Sequence, residues 1–155
     1  MKSTKSVLLV EDDSIDAMTV RRAFKDLKLV NKLAHRVNGE EALAYLDDPS
    51  EEQPCVILLD LNMPRMNGIE FLKVIKENEH FKRIPVIVLT TSNEERDVVE
   101  SFRLSVAGYI VKPVDYQKFV EAIRTIDLYW TVSEMPEPEE GKHPVENAAS
   151  VAHGG

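Results

Sequence analysis

Cysteine is almost missing from this chain of 155 residues: Cys55 stands alone, so no internal disulfide is available. It lies in an apolar stretch, where a buried thiol acting as a small hydrophobe is expected. Long hydrophobic runs are missing as well. The longest, such as Val56-Ile57-Leu58-Leu59 and Val86-Ile87-Val88-Leu89, are strand-sized. They fall far short of the about 20 apolar residues that span a bilayer, and no membrane association is expected. The start, Met1-Lys2-Ser3-Thr4-Lys5-Ser6, has no apolar segment of signal-peptide length and no small-residue cleavage site, so a cytoplasmic location is the expectation. Excess positive charge is the third absence. The formal net charge is −8, and a surface for DNA or RNA finds no support in overall electrostatics.

With 43% hydrophobic and 30% charged residues, the chain has the composition of a globular protein rather than a disordered or fibrous one. Its length allows one well-buried core and is too short for two ordinary domains. From Ser133 to Gly155 there are five acids against one lysine, with Pro136, Pro138 and Pro144 and almost no large apolar residues. Such a segment buries little. The expected organisation is one folded domain over residues 1–132 and an acidic, proline-containing, flexible tail over 133–155.

The apolar pattern marches in five units. Val7-Leu8-Leu9-Val10 stops at Glu11, Asp12 and Asp13, and from Ser14 a helical pattern runs through Ala17, Val20, Ala23, Phe24 and Leu27. A weaker strand over residues 33–37 leads to Asn38-Gly39 and a helix with Ala42, Leu43 and Leu46. The third strand, residues 55–59, ends in Asp60. A loop rich in turn formers, Asn62 to Gly68, precedes a helix with Ile69, Leu72 and Ile75. The fourth strand, residues 86–89, ends at Thr90, and a helix is expected from Asn93 to about Leu104 with Val98, Val99 and Phe102 facing inward. The fifth strand, residues 109–111, stops at Lys112-Pro113, and Asp115 can cap a last helix reaching Trp130. Continuous apolar strands alternating with amphipathic helices imply a doubly wound α/β fold, a five-stranded parallel sheet with helices on both faces. The order 2-1-3-4-5 fits five units best.

In a parallel sheet the carboxyl ends of the strands share one edge, where open α/β folds bind ligands. That edge collects Glu11, Asp12, Asp60, Thr90 and Lys112. Carboxylates so placed repel one another, and Lys112 together with a small hard cation would balance them. Mg²⁺ suits an all-oxygen donor set, and the lack of histidine or cysteine in the group argues against zinc or copper. A carboxylate nucleophile, a metal, a lysine and a hydroxyl form an acceptor for a phosphoryl group. Taken singly, each residue has a plainer role: Asp13 or Ser14 as a helix cap, Asp60 as a turn residue, Thr90 and Lys112 as ordinary surface groups. The joint placement at strand ends favours the acceptor.

Four stretches carry a resemblance to the receiver domains of two-component response regulators. They are Val7 to Asp13, Ile57-Leu58-Leu59-Asp60-Leu61-Asn62-Met63-Pro64-Arg65-Met66-Asn67-Gly68, Pro85 to Ser92, and Ala107-Gly108-Tyr109-Ile110-Val111-Lys112-Pro113. The likeness covers about residues 5–131 and implies the flavodoxin-like receiver fold. It implies that Asp60 is the phosphoacceptor, that Asp12, Asp60 and the Asn62 carbonyl bind Mg²⁺ directly, and that Glu11 acts through a metal-bound water. Thr90 and Lys112 would contact the phosphoryl group, Lys112–Pro113 would be a cis bond, and Tyr109 would be the aromatic switch that packs inward behind Thr90. The resemblance also implies that Asn62 and Ser92 stand at the two positions that tune the lifetime of the phosphoryl group in that family; neither is a large acid or base, so an intermediate to long lifetime is the expectation.

Leu89-Thr90-Thr91-Ser92, the segment from Asn78 to Pro85 and the ending Ile126-Asp127-Leu128-Tyr129-Trp130 are similar to stand-alone bacterial regulators that partner phytochrome-type sensor kinases. The resemblance implies a histidine kinase as phosphodonor and a downstream protein target. A homodimer contact through the face of helix four, strand five and helix five is a further expectation. Two alternatives stay open, a phosphorylation-independent scaffold and a phosphorelay intermediate. A dehalogenase-like phosphatase is disfavoured by Asn62, where a second acid is needed. A flavodoxin-type cofactor site is disfavoured because Glu11-Asp12-Asp13 would repel phosphate.

Overall fold

The computed structural model describes residues 5–61, 63, 66–90, 93–111 and 116–133. Strands and helices alternate as β1 (Val7–Val10), α1 (Ser14–Asp26), β2 (Leu33–Arg36), α2 (Gly39–Asp47), β3 (Val56–Asp60), α3 (Gly68–Lys76), β4 (Val86–Thr90), α4 (Asn93–Ser101), β5 (Gly108–Val111) and α5 (Tyr116–Ser133). All strand pairs are parallel and the sheet order is β2-β1-β3-β4-β5, the doubly wound order expected from the sequence.

The side-chain period of two sorts each strand between two cores. Leu8, Val10, Ile57, Leu59, Val86 and Val88 face α2, α3 and Val99 of α4. Their neighbours Val7, Leu9, Val56, Leu58, Ile87 and Leu89 face α1 and α5. Covering both faces explains why β1, β3 and β4 read as unbroken apolar runs. Edge strand β2, Leu-Ala-His-Arg, is only partly buried, which explains its weaker pattern.

Helix starts are set by side-chain caps at the edge where the strands end. Asp13 accepts from the main-chain N–H groups of Ile15 and Asp16, Asn38 accepts from that of Glu41, and Asn67 forms a reciprocal box with Glu70. Each satisfies donors that the first helical turn leaves without partners.

Three expectations need correction. Helix α4 ends at Ser101, not near Leu104, and Arg103 then adopts φ 57°, a left-handed turn that terminates the helix. Only Val99 of its apolar residues is buried; Val98 and Phe102 are 43% and 50% exposed. Neighbours in a helix point about 100° apart, so Val98 and Val99 cannot share one narrow stripe. Phe102 follows the helix end and lies beneath the Lys73 ammonium at 3.7 Å. Cys55 precedes β3 and is half-buried, its Sγ 3.8 Å from the Lys5 carbonyl oxygen. Among the described residues no helix is long and apolar enough to cross a membrane. Asp115 and residues 134–155, which include nearly all of the expected tail, lie outside the described residues.

Candidate functional site

Glu11 and Asp12 follow β1, and Asp60 ends β3, the strand beside it. The strand ends therefore carry three carboxylates to one place, although about fifty positions separate them in sequence. One oxygen from each of Glu11, Asp12 and Asp60 can be taken so that all lie within 4.8 Å of one another. Glu11 is fully buried, Asp60 is 3% exposed, and Asp12 opens to solvent. Glu11 is held firmly: its N–H donates to the Arg36 carbonyl at 3.0 Å, and its Oε2 accepts from the Asp13 N–H at 3.2 Å.

This donor set fits a hard divalent cation. Three carboxylate oxygens stand together, two of them withdrawn from water, and their mutual repulsion falls when a cation sits among them. No imidazole or thiolate belongs to the group, so a soft or borderline metal gains nothing special here.

The end of β3 and the start of α3 meet directly. The Gly68 N–H donates to the Leu61 carbonyl at 3.1 Å, and a Cβ at residue 68 would stand 2.6 Å from both the Asp60 carbonyl oxygen and Leu61 Cα. Glycine is required by this close approach. Gly39 fills a similar role against Met66, whose carbonyl accepts from the Gly39 N–H at 3.0 Å. The start of α2 thereby braces Met66 just ahead of α3.

Thr90 ends β4, next to β3 in the sheet, and is fully buried. Its hydroxyl donates to Glu95 Oε1 in the first turns of α4 at 2.6 Å. Tyr109 in β5 pairs with Val88, and its half-buried ring packs against the core under α3 and α4. The Arg96 guanidinium lies 4.6 Å above that ring. Burial pushes the Tyr109 phenol above its usual range, the Glu100 carboxylate adds to the rise, Arg96 opposes it, and Asp97 adds a further small increase. Arg96, Glu100, Arg103, Leu104, Ser105 and Val106 join Tyr109 around an open groove of about 390 Å³.

The structure thus brings Glu11, Asp12 and Asp60 together and sets Thr90 and Tyr109 on the two strands beyond. Asn62, Ser92, Lys112 and Pro113 lie outside the described residues. Sequence reasoning did not single out Glu95, Gly39 or Gly68 as supports of the site. Gly68 could have been suspected from its place at the end of a turn-rich loop. Glu95 carried no signal of this role, because its partner Thr90 lies across a strand–helix junction.

The model of the response regulator receiver domain family matches residues 7–124. Response regulator Rcp1 of Synechocystis sp. is 38% identical over 130 residues, covering 81% of this chain and 88% of Rcp1. The Mn²⁺-bound form of Rcp1 superposes with a TM-score of 0.71 at 34% identity, over 89% of this chain and all of that one. The bacteriophytochrome response regulator RtBRR gives a TM-score of 0.72 at 36% identity, over 96% of this chain and 90% of its own. The phosphorylated cyanobacterial phytochrome response regulator RcpA gives 0.74 at 33% identity, over 88% and 100%.

Proposed function

Because the chain belongs to the response regulator receiver domain family, we propose that Asp60 accepts a phosphoryl group from the phosphohistidine of a sensor histidine kinase. The observation that carries this reading is the buried Asp60 carboxylate at a central strand end, grouped with Glu11 and Asp12. The chain is a phosphoacceptor module rather than a metabolic enzyme.

In the transfer, a carboxylate oxygen of Asp60 attacks phosphorus in line, the P–N bond breaks, and the imidazole nitrogen leaves with the bonding pair. An acyl phosphate results. Asp12, Asp60 and the Asn62 carbonyl are the proposed direct ligands of Mg²⁺, with Glu11 acting through a bound water. When bound, the ion neutralises charge on the phosphoryl oxygens. Lys112 supplies a second positive charge, and the Thr90 hydroxyl a hydrogen bond to the product.

Coupling to the surface follows from the bond that Thr90 makes at rest. To reach a phosphoryl oxygen its hydroxyl must leave Glu95, and the start of α4 loses an anchor in doing so. Tyr109 then packs behind Thr90. A displaced side chain at the packed junction of β4, α4 and β5 is the kind of two-state element that a local charge can bias. The face of α4, β5 and α5 is the proposed output surface, for a downstream protein or a second copy of this chain. The likeness to RtBRR and RcpA supports a phytochrome-type kinase as the donor.

The test is intact mass after incubation with acetyl phosphate and Mg²⁺, for the chain and its Asp60→Asn variant, with size-exclusion elution of both. A Mg²⁺-dependent gain of one phosphoryl group, absent in the variant, is expected. No gain under conditions that label other receivers would replace this reading with an unphosphorylated scaffold.

A further inference from the structure

The pairing of β1 with β2 runs to Val10↔Arg36, and its last rung is the Glu11 N–H donated to the Arg36 carbonyl at 3.0 Å. The next main-chain acceptor is the Glu11 carbonyl oxygen, which lies 2.7 Å from Nε2 of His35. A carbonyl has no proton to give, so this contact requires that Nε2 carry the hydrogen. In the neutral ring the other nitrogen, Nδ1, then presents its lone pair, and the Arg21 guanidinium of α1 faces it at 3.5 Å. That distance is long for a hydrogen bond, but a donor there favours the same tautomer.

The bonded carbonyl belongs to the peptide unit that joins Glu11 to Asp12. Peptide units are planar, so fixing Glu11 at its N–H and again at its carbonyl leaves little freedom for the direction in which Asp12 departs. Glu11 is fully buried while Asp12 is exposed. Packing constrains the first carboxylate, and something else must aim the second.

We propose that His35 is a positioning residue for the acidic site: its Nε2–H, donated to the Glu11 carbonyl, orients the Glu11–Asp12 peptide so that both carboxylates converge with Asp60 on a divalent cation. The proposal rests on the reading of Glu11, Asp12 and Asp60 as a cation site. His35 itself ligates nothing. It acts from the edge strand on the main chain, as hydrogen-bonded outer groups orient metal ligands elsewhere.

The experiment is calorimetric titration of the full chain with Mg²⁺, and with Mn²⁺ as a second probe, for the parent, His35→Phe, His35→Gln and Asp60→Asn, with urea unfolding of each. A glutamine amide N–H can reach the position of Nε2, whereas phenylalanine keeps bulk and loses the donor. His35→Phe is expected to weaken Mg²⁺ binding about tenfold, and His35→Gln to stay within about threefold of the parent. A merely structural role would lower stability in both variants without separating them in cation affinity. Equal affinity in the parent and a folded His35→Phe protein would overturn the proposal, as would an equal loss in the Phe and Gln variants. Should His35→Phe fail to fold, His35→Leu takes its place and the comparison with His35→Gln stands. If the parent binds Mg²⁺ no better than Asp60→Asn, the cation site itself is wrong, a result distinct from failure of the His35 contact alone.

Discussion

In the proposed switch, the hydrogen bond from Thr90 to Glu95 would set the balance between the two states. A hydrogen bond to a charged group contributes about 1.5–3 kcal/mol, and this one is spent before the phosphoryl group can claim the hydroxyl. Glu95→Ala should therefore ease activation. We expect about tenfold tighter binding of beryllofluoride, a stable phosphoryl mimic, equivalent to ~1.4 kcal/mol of recovered hydrogen-bond energy. Unchanged affinity would mean that the Glu95 contact does not oppose the turn of Thr90. Gly68→Ala tests the loop instead. The added methyl meets main-chain atoms of Asp60 and Leu61 at 2.6 Å, and backbone cannot swing aside as a flexible side chain can. A loss of about 1–3 kcal/mol in urea unfolding is expected, together with weakened Mg²⁺ binding because the peptide of Asp60 must shift.

Helices α3 and α4 show why elements of equal length differ in legibility. Both have nine residues. Helix α3 carries a full capping box at Asn67 and Glu70, and it buries Phe71, Leu72 and Ile75, so composition, capping and packing agree. Removing the cap with Asn67→Ala should cost about 1 kcal/mol in urea unfolding. Helix α4 is mostly charged, and its one well-buried apolar residue is Val99. Val99→Ala should destabilise by about 2 kcal/mol, whereas Phe102→Ser, which gives up a half-exposed ring and its contact with Lys73, should cost less, about 1 kcal/mol. An expectation from residue size alone would invert that order. The helix end was misjudged for the same reason: apolar Phe102 and Leu104 continue a helical pattern in sequence, but the left-handed φ at Arg103 stops it.

For the molecule as a whole, stability should depend on pH through Tyr109. Burial raises its phenol above the ordinary value of 10.0. Above that value the unfolded chain loses this proton first, while the folded chain still holds it. The contribution is fully present below the unfolded value and declines as pH rises through and beyond it. Urea midpoints measured across this alkaline range should fall more steeply for the parent than for Tyr109→Phe; parallel curves would contradict the burial argument.

The alternation of buried strands and amphipathic helices and the placement of Glu11, Asp12, Asp60 and Thr90 at strand ends were legible in the order of residues, because side-chain period is a local property; the strand order was only the best-fitting one, and the assembled sheet decided it. The clustering of Glu11, Asp12 and Asp60 was legible one step further on, since a parallel sheet gathers its carboxyl ends wherever they lie in the chain. The contacts of His35 with the Glu11 carbonyl, of Thr90 with Glu95 and of Gly68 with Asp60 were not. Each depends on a distance between elements that meet only when the sheet is assembled, and a shift of an ångström in their packing would make or break it without altering any local pattern.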